Sequence, residues 1–359
     1  MKRVALVISL LIGALLFTLT MKEAGVDNVR DTILFFPASI LIVVFLINFL
    51  AVCVIGAIRW KIILESQNSH KIDFFKVLRA KLAGFAISYL TPSVLVGGEP
   101  VRAYMIKEES DYGWEKSIAS VIIDQAIYFF TLFLFMIAGF LFLADHFSLP
   151  REMFYGFAII ILATVFIFHL FHSRIMNNNP DGDGLFMFII KTVRLNKFSF
   201  IKKREDNICK MEKIIAQFFK NKKRALIKAF LLAILEVIFY LTMIWIIVLS
   251  LGEIINLTGA VSIFFLITVA NFVPIPGSLG SFEASLTFIF NLLGLGKSNG
   301  FTFSLIYRFI NIALVIVGFF ALMHFELKML SRDFSLEAPK SIQQLHGFLI
   351  KMVYGNRKS

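Results

Sequence analysis

The chain has 359 residues, of which 58% are hydrophobic and only 17% charged, with a mean hydropathy of +0.82. Average chains carry about 25% charged residues, so this composition excludes a soluble enzyme. The net charge of +12 would point to nucleic acid in a soluble protein, but here the basic residues flank apolar runs, which is the pattern of membrane topology and of contact with anionic headgroups.

Apolar runs of about 18 residues or more read as membrane-spanning helices. The first covers 4–19, after Lys2 and Arg3. Thr18-Leu19-Thr20-Met21-Lys22 is a poor signal-peptide cleavage site, so this run is expected to stay as a span. The second covers 33–58 and ends on Arg59-Trp60-Lys61, which reads as an interface anchor. Residues 70–81 are basic and amphipathic and read as a surface segment.

An interrupted stretch follows. Residues 82–90 are apolar but too short to cross, and they run into Thr91-Pro92-Ser93 and then Gly97-Gly98-Glu99-Pro100-Val101-Arg102. Further spans are expected at 118–143 and 154–171. Residues 173–224 form a basic loop, with thirteen basic against five acidic residues, which is +8 of the total. A span at 225–249 leads to a second interruption, in which 259–273 ends at Pro274-Ile275-Pro276-Gly277-Ser278-Leu279-Gly280 and a helix resumes over 281–295. The last span is 301–325, followed by a basic amphipathic tail over 326–359.

The expected architecture is an all-α polytopic membrane protein, one integral membrane domain over 1–359, with about six full spans. Placing basic loops inside puts both termini, the 173–224 loop and the tail in the cytoplasm. The two broken segments then enter from opposite faces, as inverted half-helices of a transporter do. Unwound backbone survives at membrane depth only beside protein or a polar cavity. Each break also precedes a helix start, with Pro100 suited to a first turn and Ser281 to a cap. Such starts favour a phosphate.

Charges near bilayer depth are costly and face partners or wet cavities. They are Glu99, Arg102, Asp124, Glu236, Glu283 and Arg308. Of these, Glu99, Arg102, Asp124, Glu283 and Arg308 are the expected substrate-binding residues, the arginines gripping phosphate with their forks. A Glu283–Arg308 ion pair is a compatible reading. Cys53 and Cys209 lie in unlike segments, and neither metal nor redox spacing occurs, so no cofactor is expected.

The run from Leu90-Thr91-Pro92 through Gly97-Gly98-Glu99-Pro100-Val101-Arg102, the run Pro274-Ile275-Pro276-Gly277-Ser278-Leu279-Gly280-Ser281-Phe282-Glu283, and Tyr307-Arg308 together resemble the flippase-like family, the transmembrane region of lysylphosphatidylglycerol synthases. The Arg59-Trp60 end of the second span fits it too. The resemblance covers about residues 4–325 and implies movement of lipids between leaflets, with Arg102, Glu283 and Arg308 on the polar motif positions. Where the family often carries an arginine, Gln125 stands here. No match to the soluble aminoacyl-transfer domain is seen, so the chain is not expected to make lysyl-lipid by itself.

The function expected is a lipid translocase in a prokaryotic inner membrane, not an enzyme, acting on a phospholipid or a polyprenyl-phosphate-linked lipid, with Asp124 as a candidate for proton coupling. The alternatives are a membrane-embedded enzyme of phospholipid or lipid-linked sugar metabolism, and a non-catalytic scaffold docking through 173–224. Membrane lipids are the expected partners, and a separate lipid-modifying or glycosyltransferase enzyme is a further candidate. The oligomeric state stays open.

Overall fold

A computed structural model describes residues 2–34, 36–67, 71–91, 97–147, 150–176, 184–192, 204–273 and 275–337, without the side chains of 2–10, 12, 176 and 330–337. Pro92 and Pro274, the first prolines of the two interruptions, lie outside the described residues.

The described chain is all-helical. In order the helices are α1 (Lys2–Ala24), α2 (Val26–Leu34), α3 (Ala38–Gln67), α4 (Phe74–Leu90), α5 (Glu99–Glu109), α6 (Trp114–His146) and α7 (Arg151–Met176). They continue as α8 (Leu185–Thr192), α9 (Glu205–Asn221), α10 (Lys223–Ser250), α11 (Leu257–Phe272), α12 (Ser281–Leu292) and α13 (Lys297–Glu337). Among the described residues, α3, α6, α7, α10 and α13 are long and apolar enough to cross a membrane. The first apolar run, 4–19, lies within α1. The protein is therefore a multi-pass membrane protein. α7 shows its lipid contact most plainly, since Tyr155, Ile159, Leu162, Phe166 and Ile167 are all exposed.

Local chemistry starts the helices. Asp73 accepts from the Phe75 N–H at 3.0 Å ahead of α4, and Asn256 accepts from the Gly259 N–H at 2.8 Å ahead of α11. Pro100 sits in the first turn of α5, where its missing N–H is no loss. At α12, Gly280 occupies the cap position with φ +79°, and its N–H donates to Glu283 Oε2 at 2.7 Å. Ser281, expected as the cap, is instead the first helical residue, and its hydroxyl donates to the Ser278 carbonyl.

Two helix pairs organise the interior. α4 packs against α5, and α11 against α12, and α13 packs along both α4 and α12. Lys76 Nζ donates to the Glu109 carbonyl at 2.8 Å, so the start of α4 and the end of α5 lie at one end. Lys328, late in α13, joins them through Glu109 at 2.8 Å. The other pair has its open end elsewhere. Asn299, early in α13, donates to Glu253 before α11 at 3.0 Å, and Lys297 pairs with Glu23 at the end of α1 at 3.3 Å. Residues 297 and 328 are roughly 47 Å apart along a helix at 1.5 Å per residue. The pairs thus open at opposite ends of α13 and point their turns at each other, and α4 touches the turn Pro276–Ser278.

The segment read as a 173–224 loop contains helices. α9 packs on α6, α7 and α8, and its buried Glu212 accepts from the Phe186 N–H at the start of α8 at 2.5 Å. α13 carries the 326–337 part of the expected tail onward as helix, and 338–359 lie outside the described residues.

Candidate functional site

Five charged side chains meet where α3, α4, α5, α6 and α10 come together. Asp124 on α6 is fully buried and is the hub. Its Oδ1 accepts from Arg59 Nε of α3 at 2.7 Å. Its Oδ2 accepts from Arg102 Nη2 of α5 at 2.5 Å and from Lys81 Nζ of α4 at 3.2 Å. Arg59 also donates through Nη1 to Glu236 of α10. All five residues are buried, three cations with two carboxylates.

The surroundings hold these groups in place. A π-helical segment, Leu50–Ile55, interrupts α3 one turn before Arg59, and such segments are frequent at functional sites. Lys81 passes Gly56 so closely that an added Cβ there would lie 2.8 Å from its Cε. Trp60 donates to Ser120 Oγ at 3.0 Å and lies under the Arg102 guanidinium, 4.2 Å from its ring centroid. Trp60 is therefore a buried support and not an interface anchor. Lys81 likewise belongs to the interior and not to a surface segment. Arg102 Nε and Arg59 Nη2 have no hydrogen-bond partner among the described residues.

Beside this cluster lies a cavity of about 140 Å³, room for roughly five waters. Lys81, Arg102, Glu99 and Glu236 line it, with Gln125, Ser88, Thr268, Asn271, Asn311 and four tyrosines, Tyr89, Tyr128, Tyr240 and Tyr307. Glu99 Oε2 accepts from the Gly97 N–H at 2.5 Å. A second cavity, of about 700 Å³, lies between α6, α7, α9 and α10, and only His169 and His172 relieve its apolar lining. Of these two cavities, the first holds the polar chemistry.

Glu283 and Arg308 sit apart from the five-residue cluster, at the turn of the second pair. Arg308 Nε and Nη2 donate to Glu283 Oε1 at 2.9 and 2.5 Å, and Nη1 donates to the Gly277 carbonyl at 2.9 Å. Gly277 and Gly280 both hold positive φ, which the tight turn needs. Gly280 also meets α1 at Gly13, whose carbonyl would lie 2.2 Å from an added Cβ. Arg308 thus braces a turn rather than facing the cavity, and its neighbour Tyr307 lines the cavity instead.

Of the residues singled out from sequence, Arg102 and Asp124 come together, Glu99 lies close by on the cavity wall, and Glu283 and Arg308 form their own pair. Arg59 and Lys81 were missed as site residues, and Glu236 was noted only as a charge within a span. Their signal was three ionisable groups at or inside the ends of apolar runs, with acids at 124 and 236 that needed partners.

The fold and this cluster define a multi-pass helical membrane protein with a charged, polar cavity at the meeting point of two opposed helix pairs. The sequence matches the family model for the lysylphosphatidylglycerol synthase TM region over residues 6–318, and the chain belongs to that family. It is similar to a UPF0104 membrane protein of Methanocaldococcus jannaschii, 26% identical over 334 residues, covering 88% of this chain and 93% of the relative. A UPF0104 membrane protein of Methanothermobacter thermautotrophicus is 26% identical over 257 residues, 67% of this chain and 72% of the relative. One from Pyrococcus horikoshii is 29% identical over 169 residues, 46% of this chain and 49% of the relative.

Proposed function

We propose that the chain is a lipid translocase, moving a phospholipid or a polyprenyl-phosphate-linked lipid between leaflets of a prokaryotic inner membrane. The observation that carries this reading is the pair of buried cations, Lys81 and Arg102, in the lining of a cavity otherwise rich in neutral polar side chains. A buried cation is costly in a membrane and marks a substrate pathway more often than a support. A headgroup phosphate is the ligand that Lys81 and Arg102 suit, Arg102 through its fork and Lys81 as a point charge.

The helix pairs are read as re-entrant segments from opposite faces, giving six crossings with α1, α3, α6, α7, α10 and α13. The end that holds Lys76, Arg79, Lys328 and the 173–224 segment is assigned to the cytoplasm by its basic charge. Both turns then meet near mid-membrane, so a headgroup could be reached from either side by moving one pair against the other. Asp124 serves the substrate indirectly, by holding Lys81 and Arg102, since cations take both its oxygens.

The test is leaflet-to-leaflet transfer in proteoliposomes of purified protein, with a panel of headgroup-labelled lipids. Wild type is expected to transfer at least one anionic lipid. Arg308→Ala, which frees the Gly277 turn and leaves Glu283 without its cation, is expected to slow that transfer by about tenfold or more. No transfer of any lipid by folded protein would sink the reading.

A further inference from the structure

The cavity lining combines charged and neutral polar side chains, and the neutral ones constrain the headgroup beyond its phosphate. The charged ones are Lys81 and Arg102 with Glu99 and Glu236. The neutral ones include Tyr89, Tyr128, Tyr240 and Tyr307 and the amides Asn271 and Asn311. The chain has 42 phenylalanines and only 8 tyrosines, yet four of those tyrosines line this one space. We propose that the headgroup taken here is a phosphate joined to a polyhydroxyl group, a sugar phosphate, and not a phosphate joined to an ammonium. This rests on the translocase reading of the same cavity and narrows its substrate class.

Aromatic cages bind ammonium groups through open ring faces. Each ring here already has a neighbour. Arg59 lies over Tyr128, 5.1 Å from its centroid. Tyr307 packs against Phe282 and Phe303, with centroids at 5.1 and 6.4 Å. Tyr240 packs on Phe264 and Tyr89 on Phe85, each at 6.2 Å. The hydroxyls of Tyr128 and Tyr240 bond to each other, that of Tyr307 to Asn311 and that of Tyr89 to Arg308, and what they offer a ligand is the donor and acceptor capacity that each hydroxyl keeps beyond one bond. An ammonium could instead seek a carboxylate. Asp124 is shared among three cations, Glu236 accepts from Arg59, and Glu99 accepts from the Gly97 N–H at the positive start of α5. Each carboxylate near the cavity therefore already faces a cation or a helix start, and an ammonium would have to compete with these partners for it.

A polyhydroxyl group suits the same neutral side chains. Each sugar hydroxyl both donates and accepts, as phenol hydroxyls and amides do, so pairs form without adding charge. A site built to hydrogen-bond hydroxyls also rejects ligands that lack them, because its own polar groups would be left unpaired.

The experiment is calorimetric titration of the full chain in detergent with three phosphate monoesters: methyl phosphate, glucose 1-phosphate and phosphocholine. Glucose 1-phosphate is expected to bind about tenfold or more tighter than methyl phosphate, and phosphocholine no tighter than methyl phosphate. Tyr240→Phe combined with Tyr307→Phe removes only hydroxyls, and is expected to erase most of the glucose 1-phosphate advantage. Equal affinity for methyl phosphate and glucose 1-phosphate, or preference for phosphocholine, would overturn the inference while leaving a phosphate site in place. Binding of none of the three would remove the phosphate reading of the cavity and the inference with it. The wild-type ranking decides between these outcomes even if the double variant does not fold.

Discussion

Asp124→Asn lowers the thermal midpoint of the purified protein by roughly 10 °C, or prevents its recovery as a monodisperse species. Asp124 accepts from Arg59, Lys81 and Arg102, which come from three different helices. An asparagine of the same shape leaves three buried cations with Glu236 as the remaining acid of the cluster. Breaking a buried ion pair by removing one partner costs about 3–5 kcal/mol, a large share of a total stability of about 5–15 kcal/mol. The loss comes from uncompensated charge, so removing a second charge should restore part of it. Lys81→Met in the Asp124→Asn background is therefore expected to be more stable than the single variant. Additive losses across that pair would show that the two side chains are not coupled, and an unchanged midpoint for Asp124→Asn would dismiss the cluster as a structural hub.

Five of the expected spans and the helix breaks at both interruptions were legible because each rests on a local signal. Long apolar runs read as spans by length alone, and Gly-Gly-Glu-Pro and Pro-Ile-Pro-Gly mark places where a helix cannot continue unchanged. The ion pair between Glu283 and Arg308 was legible as well, since a charge beside each apolar segment asks for a partner. Arg59 and Lys81 were misread for one shared reason. Each lies at the edge of its apolar run, where a charge reads as the end of a span, so 33–58 was closed before Arg59 and 82–90 was opened after Lys81. The helices do not stop there, since α3 runs on to Gln67 and α4 begins at Phe74. Both charges are therefore carried inward, where Asp124 neutralises them from a helix distant in sequence. Nothing local to 59 or 81 encodes that partner. The same applies to the tyrosines, whose convergence on one cavity is a property of the packing of four helices.

Gly98→Ala tests whether the first helix pair must stay closed for the cavity to exist. The backbone of Gly98 is ordinary, with φ −89° and ψ −3°, so no conformational strain demands glycine there. The demand comes from the approach of α4, because an added Cβ would lie 1.8 Å from the Gly84 carbonyl oxygen. That atom is backbone and cannot rotate away, so α5 must retreat by about 1.6 Å to reach the ordinary contact distance of 3.4 Å. The retreat also strains the 2.8 Å hydrogen bond from the Gly98 N–H to Ser88 Oγ and the 2.5 Å contact of Arg102 with Asp124. Overpacking of this kind costs about 1–3 kcal/mol and more where the backbone must move, so both stability and lipid transfer should fall. Gly84→Ala separates the two effects. Its Cβ would lie 2.4 Å from Arg102 Cγ and 2.7 Å from Cδ, a side chain that can yield, although the Gly98 carbonyl is also near at 3.2 Å. It is expected to lose less stability than Gly98→Ala but to displace Arg102 from the cavity wall, so that transfer falls further than the midpoint suggests. Gly156→Ala on α7, whose Cβ meets nothing within 4 Å, is the control and should behave as wild type. Wild-type midpoint and transfer in Gly98→Ala would mean that the close contact of α4 with α5 is incidental, and that Arg102 is held by Asp124 and Trp60 without it.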